Sequence, residues 1–281
     1  MSSAARRCSE QGKRMNAEKF DRLIEAMKSK GKLLVMYSGG LDSLVLALIA
    51  RRALGESARA ISISSPIIPA RDMAEAEAGA AEIGIPRTVL EINELLVDEF
   101  SKNGPDRCYL CRKIRNRIVK DWAASAGFEH VAEGMNASDI DDYRPGRRAS
   151  IEDWIWQPFI EFGITKDEIR EYARGSGIRR WDRPATVCLC SRFPYGAALS
   201  EEAIRRVENA ETVLHDLGFY PCRVRSFPGG VAMIEVAEPE RLMPARQAVA
   251  ARLVELGFTF AGLDLEGFKS GKLNRMLKKN G

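Results

Sequence analysis

No stretch of the chain stays apolar for the length of a membrane span, and its start, Met1-Ser2-Ser3-Ala4-Ala5-Arg6-Arg7, lacks the apolar region of a signal peptide. The expected setting is the cytoplasm, with no membrane partner. Charge of either sign is not in surplus: 43 Lys and Arg face 39 Asp and Glu, for a net charge of +4, and the basic residues are scattered. That balance does not indicate a general nucleic-acid surface. Repeats and low-complexity segments are missing as well. What is present, 281 residues of which 45% are hydrophobic and 29% charged, suffices for a sizeable core and suggests two domains.

One further absence is more pointed. After the apolar run Leu33-Leu34-Val35-Met36 the chain reads Tyr37-Ser38-Gly39-Gly40-Leu41-Asp42-Ser43 and then enters an apolar helical stretch, Leu44 to Ile49, with no lysine after the glycines. The Walker pattern is thereby excluded, and with it the usual chemistry at the γ-phosphate. Two adjacent glycines still let successive N–H groups and a helix N-terminus converge on an anion. Ser38 and Ser43 add hydroxyl donors. Asp42 suits such a site when a cation such as Mg²⁺ bridges it to phosphate. The motif resembles the S-G-G-x-D-S signature of the PP-loop ATP pyrophosphatases, which cut ATP between α and β. The plainer alternative is a strand-turn-helix junction with a Gly-Gly turn.

The surrounding pattern alternates strand and helix. Strands are expected at Lys32 to Tyr37, Ala60 to Ser64 and Thr88 to Ile92, with a short entry at Glu129 to Ala132. Helices are expected from Leu41, through Met73 to Ile83, and around Lys113 to Ala126. This is an α/β, doubly wound parallel sheet, whose ligands bind at the carboxyl edge where the glycine loop lies. Thr165 and Glu168 make a capping box opening another helix. After Pro194-Tyr195-Gly196 the pattern changes, giving strands near Cys222 to Ser226, Val231 to Val236 and Thr259 to Leu263. The expected division is a disordered residue range 1–15, an α/β domain over 16–197 and a small α+β domain over 198–281.

Six cysteines are an even number, but a chain this long with a nucleotide loop favours reduced thiols over a disulfide framework. Cys108-Tyr109-Leu110-Cys111 is a C-x-x-C unit able to aim two sulfurs at one metal or cluster. Cys188-Leu189-Cys190 puts both side chains on one face if the segment is extended. Four thiolates would close a zinc site. Three on a four-iron cluster would leave one iron open to an extra sulfide. Arg107, Arg112 and Lys113 would favour thiolate over thiol. Arg223 and Arg225 alternate along a strand, so both guanidinium groups can face one phosphate; the alternative is a solvated strand face.

Several motifs converge. Beside the glycine loop stand Arg107 to Lys113, Glu133-Gly134-Met135-Asn136 with Asp142 to Gly146, Pro184 to Gly196, Arg223-Val224-Arg225, and Leu263 to Gly271. Together they resemble the LarE family of ATP-dependent sulfur transferases, over about residues 17 to 275. The resemblance implies that a carboxylate of pyridinium-3,5-biscarboxylic acid mononucleotide attacks the α-phosphate of ATP, that pyrophosphate leaves, and that sulfur attacks the acyl adenylate. It implies phosphate binding by Ser38, Gly39, Gly40 and Ser43, with Asp42 a direct or water-mediated partner of Mg²⁺. Arg223 and Arg225 would hold the substrate's mononucleotide phosphate or the AMP phosphate. Cys188 and Asp42 lead the catalytic candidates, followed by Arg192, Glu133 and Asp264. Asn136, Asp142 and Arg144 match polar family positions too, and any of these lower-ranked residues is alternatively a structural hydrogen-bonding group. Met135 and Ser138 depart from the family's G-T-N-x-D-D loop.

Members that retain the C-x-x-C pair are similar to cluster-dependent sulfurtransferases, so Cys108, Cys111 and Cys188 would bind a [4Fe-4S] cluster fed by a sulfide donor. Cys190 departs from the family's small residue and is a further possible ligand. The other route sacrifices the Cys188 sulfur in one turnover. The family forms closed homo-oligomers, and a hexamer is expected by resemblance. Rivals are a cluster-dependent tRNA thiolase, an amidating ligase and a zinc-stabilised nucleotide-binding module.

Overall fold

The computed structural model describes residues 17–140, 145–179, 187–269 and 271–279. The expected disorder of residues 1–15, and the positions of Asp142, Arg144 and Pro184 to Thr186, lie outside them. In chain order the elements are α1 (helical residues 17–29), β1 (Leu33–Met36), α2 (Leu41–Leu54), β2 (Ala58–Ser64), α3 (Ala70–Ile83), β3 (Arg87–Glu91), α4 (Asp98–Ser101), α5 (Arg107–Ser125), β4 (Val131–Glu133), α6 (Pro145–Glu152), α7 (Pro158–Glu161), α8 (Lys166–Gly175), α9 (Glu201–Asp216), β5 (Cys222–Phe227), β6 (Val231–Val236), α10 (Arg246–Glu255) and β7 (Phe260–Leu263).

The chain forms two compact units. The first takes the described residues among Met1–Ser64, Ala70–Ile92 and Cys108–Thr186; the second takes those among Ser65–Pro69, Asn93–Arg107 and Val187–Gly281. A linear division near residue 197 does not capture this arrangement. The reason lies in backbone pairing within the second unit: Leu189 N–H donates to Ile67 (2.8 Å), Gly196 N–H to Asn103 (2.9 Å) and Leu199 N–H to Ser101 (2.7 Å). These bonds tie the start of the carboxy-terminal segment to two earlier loops.

The first unit is built on a parallel sheet of order β3-β2-β1-β4. Period-two alternation sends Leu33 and Val35 of β1 into one core with residues of α2, α3 and α8, and sends Leu34 into another with Val119 and Ala123 of α5. Both faces of the sheet are therefore covered by apolar side chains, as the near-continuous apolar strands require. The expected α/β class is what the structure shows.

The second unit pairs β5 antiparallel with β6 and β6 parallel with β7, the latter through α10. Gly229 and Gly230 turn the hairpin with φ of +80° and +76°, values that favour glycine, and a Cβ on Gly230 would meet Thr259 Oγ1 at 2.5 Å. Ile204, Val207, Ala210 and Leu214 of α9 are buried, as are Val224, Ile234 and Val236 of the sheet.

Candidate functional site

The glycine loop leaves the carboxyl end of β1 in the middle of the parallel sheet, where open α/β sheets bind ligands. Its shape is set internally. Ser43 Oγ accepts from Ser38 N–H (3.2 Å) and donates to the Gly40 carbonyl (2.9 Å), and the two serine hydroxyls lie 3.1 Å apart. Gly39 has φ +79°, and a Cβ there would sit 2.7 Å from both Cα and Cβ of Ala76. Backbone strain and clash coincide, so Gly39→Ala is expected to cost about 1–3 kcal/mol and to weaken ATP binding about tenfold or more. Titration calorimetry beside a thermal melt reads both effects.

Asp42, in the first turn of α2, faces two partners. Its Oδ1 takes the ammonium of Lys166, the first residue of α8, and its Oδ2 accepts from Asn136 Nδ2 at 3.0 Å. The Asn136 side chain also caps its own turn through Ser138 N–H (2.9 Å), in a capping box with Asp139. Gly134 permits the approach of this strand end: a Cβ there would lie 2.8 Å from the Asp42 carbonyl carbon and from Ser43 N. An acidic group beside hydroxyls, already facing one cation, fits Mg²⁺ in donor chemistry. No sequence motif marks Lys166, although it directly follows Thr165, whose capping box with Glu168 fixes where α8 begins.

Glu133, on β4, is buried, takes Arg112 at 2.9 Å and accepts from Gln157 Nε2 at 2.8 Å. Cys108 and Cys111 lie within α5, which begins at Arg107 rather than near Lys113. The pair is thus helical, and its spacing keeps the two sulfurs one turn apart on one face. Tyr109 between them donates its hydroxyl to Glu152 (2.6 Å) beneath Arg148. The flanking cations are engaged, Arg112 with Glu133 and Lys113 with Asp153.

In the second unit, Cys188 caps a 3₁₀ turn, Leu189–Arg192. The segment is not extended, so the expectation that its two cysteines share a face fails. Cys188 is half-buried while Cys190 is wholly buried. Arg192, also buried, makes a two-pronged ion pair with Glu211 of α9, at 2.8 Å on both arms, and its Nη1 donates to the carbonyl of Val187 (2.7 Å). Burial works against its charge, yet Glu211 and then Cys188 hold its pKa above the ordinary arginine value. Glu211 occupies a core-facing phase of α9, beside Val207, Ala210 and Leu214. A carboxylate in that phase is the sequence signal that a buried cation awaits it.

Arg223 and Arg225 both point into buried surroundings, but they are not equivalent. Glu235 stands opposite Arg223 in the β5–β6 register, yet its carboxylate reaches diagonally to Arg225 (3.0 and 2.8 Å). The Arg223 guanidinium lies over the Phe268 ring at 4.6 Å and, among the described residues, makes no side-chain hydrogen bond or ion pair. Burial first, then the charges of Arg225 and Arg192, lowers its pKa to about 10. An anion bound there would relieve that penalty. Asp264 pairs with Lys272 at 2.7 Å, and Lys272 also approaches Glu235 at 3.8 Å.

Among the described residues no group of three or more His, Cys, Asp or Glu is arranged to hold a metal ion, and no helix is long and apolar enough to cross a membrane. Cys108, Cys111, Cys188 and Cys190 carry no disulfide, and a thiol is the donor type that an iron–sulfur cluster takes.

The asparagine synthase family model matches residues 17–103, which contain the loop. An uncharacterized protein of Synechocystis sp. is 37% identical over 270 residues, 94% of this chain and 100% of that protein. A pyridinium-3,5-bisthiocarboxylic acid mononucleotide synthase of Lactiplantibacillus plantarum is 33% identical over 266 residues, 94% of this chain and 96% of the synthase. A tRNA-cytidine(32) 2-sulfurtransferase of Bdellovibrio bacteriovorus is 27% identical over 113 residues, 39% of this chain and 44% of that enzyme. With identity running the length of both chains in the synthase comparison, the chain belongs to the LarE family and is an ATP-dependent sulfurtransferase of the PP-loop superfamily.

Proposed function

We propose that this cytoplasmic enzyme adenylylates a carboxylate of pyridinium-3,5-biscarboxylic acid mononucleotide and converts it to a thiocarboxylate, in nickel-pincer cofactor biosynthesis. The observation that carries the reading is the loop from Ser38 to Ser43: a serine-lined, glycine-tight anion site with an acidic residue facing a cation and no Walker lysine. The likeness to the Lactiplantibacillus pyridinium-3,5-bisthiocarboxylic acid mononucleotide synthase supports the choice of substrate.

A carboxylate oxygen leaves poorly at neutral pH, whereas AMP leaves readily, so adenylylation supplies the driving force. Ser38, Gly39, Gly40 and Ser43 hold the phosphates, and Asp42 would hold Mg²⁺, which when bound offsets charge on the departing pyrophosphate. Arg223, buried without a carboxylate partner, takes the substrate's phosphate, with Arg225 adding positive charge beside it. Glu133, Arg192 and Asp264 support the site through their ion pairs. Cys108, Cys111 and Cys188 would hold a [4Fe-4S] cluster, with Cys190 a reserve ligand; such a cluster supplies sulfide from an external donor. The alternative sulfur source is Cys188 itself. We favour the cluster, because two thiols one helical turn apart have no use in the sacrificial route. Assembly as a homo-oligomer, a hexamer by resemblance, belongs to the same reading.

ATP is expected to yield AMP and pyrophosphate, and only when the dicarboxylated mononucleotide is present. Chromatography of the nucleotide products checks this, and formation of ADP and phosphate at the same rate would overturn it.

A further inference from the structure

Within the 3₁₀ turn, Cys188 O accepts from Ser191 N–H (3.1 Å) and Cys190 O from Phe193 N–H (3.2 Å), which leaves each of these carbonyls a second lone pair. Guanidinium groups add to these bonds along the segment around Cys188. Arg192 Nη1 donates to Val187 O (2.7 Å) and Cys188 O (3.2 Å), Arg107 Nη1 donates to Cys190 O (2.9 Å), and Arg225 Nη1 donates to Ser191 O. The three arginines come from the 93–107 segment, the turn itself and β5. Each is buried, and each is held from behind: Arg192 by Glu211, Arg225 by Glu235, and Arg107 by Asn103 Oδ1 and the Tyr195 ring. Asn103 in turn donates to Pro194 O at 2.8 Å, which fixes the exit from the turn.

Charged donors on neutral carbonyls make stronger bonds than neutral ones, and a guanidinium already clamped by a carboxylate has little orientational freedom left to lose. Such a frame is far more than a four-residue turn needs merely to be ordered. It restrains one cysteine that is half-buried and one that is wholly buried, and so it selects which sulfur is presented.

We propose that Arg107 and the Arg192–Glu211 pair, together with the Arg225 contact to Ser191, are positioning residues that fix the backbone of Cys188 to Ser191 and thereby hold the Cys188 sulfur in place for transfer. The proposal rests on the role of Cys188 given above, and it assigns to Arg107 and Glu211 a part in the reaction that neither plays by touching substrate.

The test compares Arg107→Gln, Arg107→Lys and Glu211→Gln with the unaltered chain, each first shown to fold by circular dichroism. Amide hydrogen exchange is followed at Ser191 and Phe193, whose N–H groups bond within the turn, and iodoacetamide labelling of Cys190 is read by peptide mass spectrometry. Loss of a charge-assisted bond is expected to raise both by about tenfold or more in the Gln variants. Thiocarboxylate formed per pyrophosphate released should fall by a similar factor, and Arg107→Lys, which keeps a charged donor, should restore much of it. A folded Arg107→Gln chain with exchange and Cys190 labelling unchanged overturns the proposal. So does a loosened turn that still forms thiocarboxylate at the original ratio. Should Arg107→Gln not fold, Arg107→Lys and Glu211→Gln carry the same two readouts. Full sulfur transfer by Cys188→Ala would instead overturn the role of Cys188, a result that the exchange measurements do not affect.

Discussion

Asp42→Ala is expected to reduce substrate-dependent pyrophosphate release by on the order of a thousandfold while leaving the fold in place. The loop does not need this side chain for its shape, because Ser38, Gly40 and Ser43 bond to one another. Nor does the Asp42–Lys166 pair carry much stability: both side chains are about a quarter exposed, and pairs so placed are worth about 1 kcal/mol or less. What the substitution removes is the carboxylate that would hold Mg²⁺ beside the phosphates, and it leaves Lys166 and Asn136 without the group they face. Asp42→Asn keeps the shape of the side chain but not its charge, so it should be nearly as inactive. The check is a coupled pyrophosphate assay run beside a thermal melt. Release within about tenfold of the original would remove Asp42 from the mechanism.

The second large effect separates the two sources of sulfur. Under the cluster reading, the reconstituted enzyme turns over more than once with added sulfide, and its polypeptide mass is unchanged afterwards. Cys108→Ala, Cys111→Ala and Cys188→Ala should each lose the cluster and with it thiocarboxylate formation, since each removes one of its three thiolates and Cys190, wholly buried, is not presented to replace it. Cys190→Ala should be milder: its side chain is wholly buried, so the expected loss is packing, about 1 kcal/mol, rather than a ligand. Iron and sulfide analysis with intact-mass spectrometry reads all four variants. A chain that stops after one turnover, having lost hydrogen sulfide from Cys188, establishes the sacrificial route. Cluster loss confined to Cys190→Ala would show that the other cysteine of the C-x-C pair is the ligand.

The parallel sheet was legible because its strands are short apolar runs set between helices, and Leu33–Met36 falls within the expected bounds; in the other sheet Val231–Val236 falls at them. The Thr165–Glu168 capping box was legible because it is a local device, and both of its bonds are present. The environment of Cys188 was not. Its turn owes its shape to Arg107 and Arg225, which lie far away in sequence, and no local pattern announces such partners. The unequal fates of Arg223 and Arg225 were hidden for a related reason. Alternation along β5 predicts that both enter one environment, but the diagonal reach of Glu235 decides which is neutralised. Lys166 carries no sequence signal because its importance depends on where α8 begins relative to α2, and that is a matter of packing rather than of spacing.

The interleaving of the two units bears on what a shortened chain would inherit. Residues 65–69 and 93–107 lie within the amino-terminal half of the sequence but belong to the carboxy-terminal unit. A gene interrupted after residue 186 would still encode them. The carbonyls of Ile67, Ser101 and Asn103 would then have lost the amides of Leu189, Leu199 and Gly196. Acceptors stripped in this way turn to water or to other chains. A nonsense mutation late in the gene would therefore not leave a clean nucleotide-binding fragment, but one whose loops are prone to local unfolding, aggregation and proteolysis.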